Sequence, residues 1–357
     1  MSERPSSIPV ALIGYGYAGK TFHAPLINAV PGLELILVAS RDPKKVLANL
    51  PGTQVLADPA AVATHPDAEL VVIASPNDTH APLAELALQA GKHVVVDKPF
   101  TLSLDEARRL AGLAGARERL LSVFQNRRWD SDFLGLKAVI ASGQLGEVLS
   151  FESRFDRYRP EVRMRWREQA GPGSGLWYDL GPHLVDQALQ LFGLPTAVTA
   201  HLVAQRPSAQ TVDWAHAVLG YGRLQVVLHA SMLVAGGVPR FAVHGTAGSW
   251  VKFGLDVQED SLRAGRPPGG PGWGEDPVRG LYYEGANGKT SELAAPPGDY
   301  RQYYAQIRDA ILGTGSSPVA PAQAVAVMAV LETALRSAAE GRTLPLPLTE
   351  SERRLWQ

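Results

Sequence analysis

The chain contains no cysteine, which excludes disulfide staples, thiolate metal ligands and a cysteine nucleophile, and favours a reducing compartment. It carries no excess of either charge. Its 34 Lys and Arg stand against 35 Asp and Glu, so nothing drives it toward nucleic acid or an anionic membrane. The longer apolar runs are interrupted before they could cross a bilayer. Residues 1–9 are polar and proline-broken, with neither the apolar stretch of a secretion signal nor a twin-arginine leader. The 9 histidines are scattered without ligand spacing, so no metal site is expected. These absences leave a cytoplasmic protein with no nucleic-acid or membrane partner as the expectation.

What is present is a globular composition, 45% hydrophobic and 19% charged, on 357 residues. That length exceeds one ordinary core and points to two domains. The first third alternates β-branched runs with helical patterns. Strands are expected at 10–13, 35–40, 54–56, 70–74, 93–96 and 121–124, and helices near 19–30, 43–50, 59–63, 80–90 and 104–116. Gly91 suits the residue just past a helix end, and Ser103 with Glu106 reads as a capping box. Such alternation implies a parallel, doubly wound α/β sheet of the Rossmann kind.

After about Asn126 the pattern changes. Strand-like runs follow one another at 148–158, 197–204, 215–219, 225–233 and 241–243, with helices near 300–311 and 321–340. Strands that succeed strands predict an α+β domain built on a large, mostly antiparallel open sheet. The division expected is 1–126 for dinucleotide binding and 127–357 for substrate binding and oligomerisation. Residues 265–274 (GRPPGGPGWG) cannot hold a regular element and read as an exposed loop, whether a lid, a subunit contact or a plain connection.

The turn Gly14-Tyr15-Gly16-Tyr17-Ala18-Gly19 leaves the first strand and opens a helix. The first glycine permits the tight turn, the second lets backbone approach a pyrophosphate, and the third lets helix and strand pack closely. An NAD site usually ends its second strand on Asp or Glu, which binds the ribose 2′-hydroxyl. Here that strand ends Ala39-Ser40-Arg41, with Lys44 and Lys45 behind, a set suited to a 2′-phosphate. NADP is therefore the expected cofactor, with NAD possible. Asp42, one position late, could still face the ribose, and Arg41 could be an ordinary surface cation.

Ligands of such sheets lie beyond the strand carboxyl ends. Ser75-Pro76-Asn77-Asp78-Thr79-His80 follows the fourth strand, and Asp97-Lys98-Pro99 follows the fifth. Pro99 restricts Lys98 and keeps it near the strand end, where an ammonium can stabilise a substrate oxygen that gains charge. The alternative is a solvated lysine paired with Asp97. His80 equally suits a helix start or a packing role.

In the second domain, residues 171–183 (GPGSGLWYDLGPH) are dense in chemistry. Pro182 suits a first helical position, which would put His183 in the first turn, where imidazolium is disfavoured and a neutral ring can accept a proton. Asp179 is close enough to orient it or to bind a hydroxyl, although the two could be a cap and a packed side chain. Residues 154–167 carry six arginines and read either as a charged strand edge or as functional. Arg165-Trp166-Arg167 is the part able to touch both cofactor and substrate.

This spaced set resembles the Gfo/Idh/MocA oxidoreductase family over nearly the whole chain, on GYGYAG, Ser75-Pro76-Asn77 with His80, Asp97-Lys98-Pro99, and Asp179-x-Gly-x-His183. Lys20–Leu26 (KTFHAPL), 126–130 (NRRWD) and the block ending at His183 resemble its NADP-dependent scyllo-inositol dehydrogenase group. The resemblance implies that Lys98, Asp179 and His183 form the catalytic set, with His183 moving the proton. It implies cofactor contacts at Gly14, Tyr15, Gly16, Tyr17, Gly19, Ser40, Arg41, Lys45, Ser75, Pro76, Asn77, His80, Asp97, Lys98, Trp166 and Arg167, and substrate contacts at Asn126 and Arg127 beside Asp179 and His183. The family usually has glutamate where this chain has Asp97. The reaction expected is oxidation of a secondary alcohol on a sugar or cyclitol, in a homodimer or homotetramer formed through the second-domain sheet. The alternatives are a non-catalytic dinucleotide-binding regulator and a dehydrogenase of a non-sugar substrate.

Overall fold

The structure, a computed structural model, describes residues 7–356; residues 1–6 of the polar N-terminal segment lie outside it. The first six strands are β1 (Ile8–Ile13), β2 (Leu33–Ala39), β3 (Gln54–Leu56), β4 (Leu70–Ile73), β5 (His93–Val96) and β6 (Leu121–Val123). Helices α1 (Ala24–Asn28), α2 (Pro43–Leu47), α3 (Pro59–Ala63), α4 (His80–Gln89) and α5 (Leu104–Ala116) alternate with them. All six strands run parallel in the order β3-β2-β1-β4-β5-β6. β4 is buried along its whole length, as a strand covered on both faces must be. The order reverses between β1 and β4, so their carboxyl ends flank the place where such sheets take ligands.

One expected helix is not uniform. Gly19–His23 forms a π-helical turn, closed by Ala24 N–H donating to the Gly19 carbonyl, before α1 begins. The turn widens just ahead of Pro25, whose nitrogen has no proton for the Thr21 carbonyl.

The second half runs through α6 (Ser131–Ala141), β7 (Val148–Asp156), α7 (Leu176–Phe192), β8 (Ala197–Val203), β9 (Trp214–Tyr221), β10 (Leu224–Ser231), β11 (Phe241–Gly245) and β12 (Gly248–Lys252). It continues with α8 (Gln258–Arg263), β13 (Gly280–Glu284), β14 (Thr290–Leu293), α9 (Arg301–Ile311), α10 (Pro321–Glu340), β15 (Leu344–Pro345) and α11 (Glu350–Trp356). Nine strands join in the order β14-β13-β12-β11-β7-β10-β9-β8-β15. The β7–β10 pair is parallel and the other pairs are antiparallel. Along β9, Ala215, Ala217 and Leu219 are buried while Trp214, His216 and Val218 between them are half-exposed. That alternation marks one covered face, against which α7 packs, and one open face.

The chain divides into two compact units: Met1–Asn126 with Gln258–Trp273 and Asp299–Val325, and Arg127–Val257 with Gly274–Gly298 and Ala326–Gln357. Asn126 ends the first stretch of the first unit, and two later segments, Gln258–Trp273 and Asp299–Val325, return to it. The 265–274 loop, expected to be exposed, holds no helix or strand, yet Trp273 is buried and its indole N–H donates to Gln258 Oε1 at 3.1 Å. The apolar runs are also less interrupted than the sequence reading held. By length and composition Pro321–Glu340 could cross a membrane, but it is a mostly buried helix of the protein interior.

Candidate functional site

In the first unit, Gly14 leaves β1 with φ +99°, and a Cβ there would lie 2.5 Å from the Ala74 carbonyl oxygen at the end of β4. A Cβ on Gly19 would press into the Gly14 carbonyl, so this glycine sets how closely the helical turn meets the strand. At Gly16 a Cβ would meet nothing within 4 Å. The backbone there borders open space, as close approach by a pyrophosphate requires. Tyr15 is buried, whereas Tyr17 is exposed and its hydroxyl donates to Glu259 Oε1 at 2.7 Å.

At the end of β2, Asp42 caps the helix that follows. Its Oδ1 accepts the Lys45 N–H at 3.0 Å and caps α2, while Ser40 Oγ accepts the Asp42 N–H at 3.1 Å. Arg41, Lys44 and Lys45 remain exposed around this turn. Three cations and a helix N-terminus fit a phosphate better than a neutral hydroxyl.

The fourth and fifth strand ends are tied together by His80, which is buried at the start of α4. Its Nδ1 lies 2.8 Å from the Pro99 carbonyl oxygen and its Nε2 3.0 Å from that of Ser75. A neutral ring donates to one carbonyl and an imidazolium to both. Ser75 Oγ meets Thr79 Oγ1 at 2.6 Å, and Asn77 is buried in the turn between them. His80 therefore positions these loops with its ring, and the Ser75-Pro76-Asn77 backbone borders the strand ends. Lys98 stands half-exposed beyond β5, and its N–H donates to Asp97 Oδ1 at 2.8 Å. Asp97 itself is buried. Burial opposes its charge, but His23, Lys98 and His80 outweigh that and hold its carboxyl below the usual carboxylate range.

Sequence reasoning gave His23 no role of its own. The π-helical turn carries it, fully buried, to 3.8 Å from Asp97 Oδ2, and its Nδ1 lies 2.6 Å from the Tyr304 hydroxyl. The His23 ring packs 4.4 Å from the Phe124 ring. Only the run KTFHAPL flagged this residue, and nothing near Tyr304 pointed back to it.

In the second unit the expected helix start is wrong. α7 begins at Leu176 behind Gly175, so Pro182 lies inside the helix and His183 two turns from its start. Gly181-Pro182 looks like a boundary because proline withholds an N–H, but a long packed helix tolerates losing that single bond. The first-turn residue is Asp179, where the helix N-terminus favours its carboxylate. Asp179 and His183 stand four residues apart, hence on one face. Arg157 Nη1 and Arg167 Nε approach Asp179 at 3.8 Å and 3.6 Å, and the Arg167 guanidinium lies 4.5 Å over the Trp166 ring. His183 is buried beside this group.

The arginine-rich segment is not a strand edge, because β7 pairs on both sides with β10 and β11 and ends at Asp156. Its loop is held by Glu168, which binds Arg165 Nε at 2.6 Å and Arg206 Nη2 at 3.1 Å. One turn below His183, Asp186 grips Arg128 through Nε at 2.9 Å and Nη2 at 2.7 Å, and Gln187 donates to the Arg127 carbonyl at 2.9 Å. Arg127 is turned inward, onto Asp130 at 3.1 Å and the Phe155 ring at 4.8 Å, and Asn126 is buried. Among the described residues no cluster of potential ligands could hold a metal.

Residues 8–125 match the family profile described as "Oxidoreductase family, NAD-binding Rossmann fold", and 137–348 match its "C-terminal alpha/beta domain". The chain is 53% identical over 342 residues to the uncharacterized oxidoreductase YdgJ of Escherichia coli K12, covering 95% of this chain and 99% of that one. It is 38% identical over 349 residues to the NADP(+)-linked scyllo-inositol 2-dehydrogenase IolW of Bacillus subtilis, covering 96% and 97%. A Klebsiella pneumoniae chain described as an oxidoreductase superposes with a TM-score of 0.93 at 56% identity, covering 98% of each chain.

Proposed function

The chain belongs to the Gfo/Idh/MocA oxidoreductase family, and we propose that it is an NADP-dependent dehydrogenase of secondary alcohols on a sugar or cyclitol. The observation that carries this reading is the Asp179–His183 pair on one helix face, in a chain that also sets Lys98 at the end of a dinucleotide-binding sheet. The Bacillus subtilis relative, named for scyllo-inositol and NADP(+), supports the substrate class and the cofactor.

The glycine turn with Ser40, Arg41 and Lys45 would hold the dinucleotide. When bound, its nicotinamide supplies the hydride acceptor in oxidation and the donor in reduction. His183 takes the proton from the substrate hydroxyl, or returns it in reduction. Lys98 stabilises the oxygen as it gains negative charge. Asp179, held by Arg157 and Arg167, accepts a hydrogen bond from a hydroxyl of the polyol.

Arg41→Ala tests the cofactor assignment. Loss of a charge-assisted contact to the 2′-phosphate should lower kcat/KM for NADP+ by about 10-fold to 100-fold and leave that for NAD+ unchanged. Equal kinetics of the parent protein with both cofactors would contradict the preference. We assign the open face of the nine-stranded sheet, including Thr199, His216, Val218 and Val251, to contact with a second copy of the chain. Sedimentation should then show a dimer or tetramer, and a monomer at micromolar concentration would contradict the assignment.

A further inference from the structure

We propose that His23, steered by Tyr304, is a positioning residue for Lys98 that acts through Asp97; the proposal rests on the role given to Lys98 above. The groups form one buried line in the first unit. The Tyr304 hydroxyl meets His23 Nδ1 at 2.6 Å, His23 Nε2 faces Asp97 Oδ2 at 3.8 Å, and Asp97 Oδ1 accepts the Lys98 N–H at 2.8 Å. Tyr304 and His23 are fully buried, and Asp97 nearly so.

The direction of the line follows from Tyr304. Burial, then Tyr303 and the Asp97 charge, push its hydroxyl well above the ordinary tyrosine value, so it keeps its proton. Where that hydroxyl donates to Nδ1 of a neutral ring, the ring proton stands on Nε2, the nitrogen that faces Asp97, and an imidazolium carries a proton there too. Asp97 needs such a neighbour. Four groups face it: His23 from the π-helical turn, His80 from α4, Tyr304 from α9 and Lys98 from its own strand end. Tyr304 stays neutral, and both His80 ring nitrogens are directed at backbone carbonyls. His23 is the ring whose nitrogen is aimed at the carboxylate.

The short aspartate side chain fits this arrangement. One oxygen stays close enough to bind the next N–H, and the other points toward His23. An ionised Asp97 then fixes the backbone of Lys98 and places a negative charge beside its ammonium. Removing the His23 dipole lets burial prevail, so Asp97 takes up a proton at higher pH and Lys98 loses its anchor.

His23→Phe and His23→Gln test this. Phenylalanine keeps the packing on Phe124 without the polar edge, whereas the glutamine amide nitrogen replaces Nε2. The first readout needs no cofactor: the carboxyl-carbon NMR titration of Asp97 in the free protein. The second is the pH profile of kcat for ketone reduction, in which His183 as proton donor sets the alkaline limb and leaves the acid limb to Asp97. His23→Phe should raise both the Asp97 midpoint and the acid limb by about one pH unit or more, lower kcat about 10-fold at pH values below both limbs, and leave kcat at neutral pH and KM for NADPH near the parent values. His23→Gln should restore both toward the parent values.

An unmoved Asp97 midpoint in His23→Phe overturns the proposal, as does a midpoint that moves while the acid limb stays. If His23→Phe does not fold, Tyr304→Phe, which removes only the hydroxyl, must move the midpoint and limb in the same direction. Full turnover in Lys98→Ala would overturn the role of Lys98, and the NMR midpoint would still report whether His23 controls Asp97.

Discussion

Replacing Lys98 with alanine is expected to lower turnover by about 10²- to 10³-fold while NADPH binds as tightly as it does to the parent protein. Lys98 stands at the end of β5, with its backbone fixed by Asp97 and the following proline buried, so its ammonium is presented at a set place. It gains most when the substrate oxygen becomes negative, which is why the loss falls on kcat. Cofactor affinity, measured by fluorescence titration, isolates binding from chemistry. A large loss of NADPH affinity with little loss of kcat would make Lys98 a cofactor anchor.

His183→Ala should cost about 10²- to 10⁴-fold in kcat, since it removes the group assigned to carry the proton. In the reduction direction the alkaline limb of the pH profile should disappear with the ring. His183 is buried in the middle of α7, so part of any loss could come from the fold. A cooperative thermal transition close to that of the parent protein removes that ambiguity. Retained turnover with an unchanged profile would exclude His183 as the proton carrier.

The first unit was legible because most of its strands are short, largely buried apolar runs, and β4 (Leu70–Ile73) announces itself without help from its neighbours. The glycine turn was legible for a related reason, since Gly14 and Gly19 are demanded by contacts within a few residues of the motif or across one adjacent strand. The start of α7 was not. Gly181-Pro182 carries the local signs of a boundary, yet Gly181 is needed because a Cβ there would lie 2.9 Å from Leu331 and 3.0 Å from Trp177. Tertiary packing overrode the local signal, and with it went the argument that a helix N-terminus keeps His183 neutral.

The outer strands β13 and β14 were missed because Thr290–Leu293 is polar except for Leu293 and lies at the sheet edge, where burial writes little pattern into the sequence. The pairing of His23 with Tyr304 spans 281 residues and depends on a segment that returns to the first unit. No periodicity records such a return. Asp42 shows the opposite case: helix capping, a purely local interaction, engages its Oδ1 within three residues.

The central claim is tested most directly by assaying the parent protein against a panel of sugars and cyclitols, scyllo-inositol included, with NADP+ and NAD+ in parallel. The account predicts reduction of NADP+ by at least one polyol, with kcat/KM about 10-fold or more above that for NAD+. Tight binding of NADP+ with no turnover of any polyol would contradict it and leave a protein that binds the dinucleotide without using it.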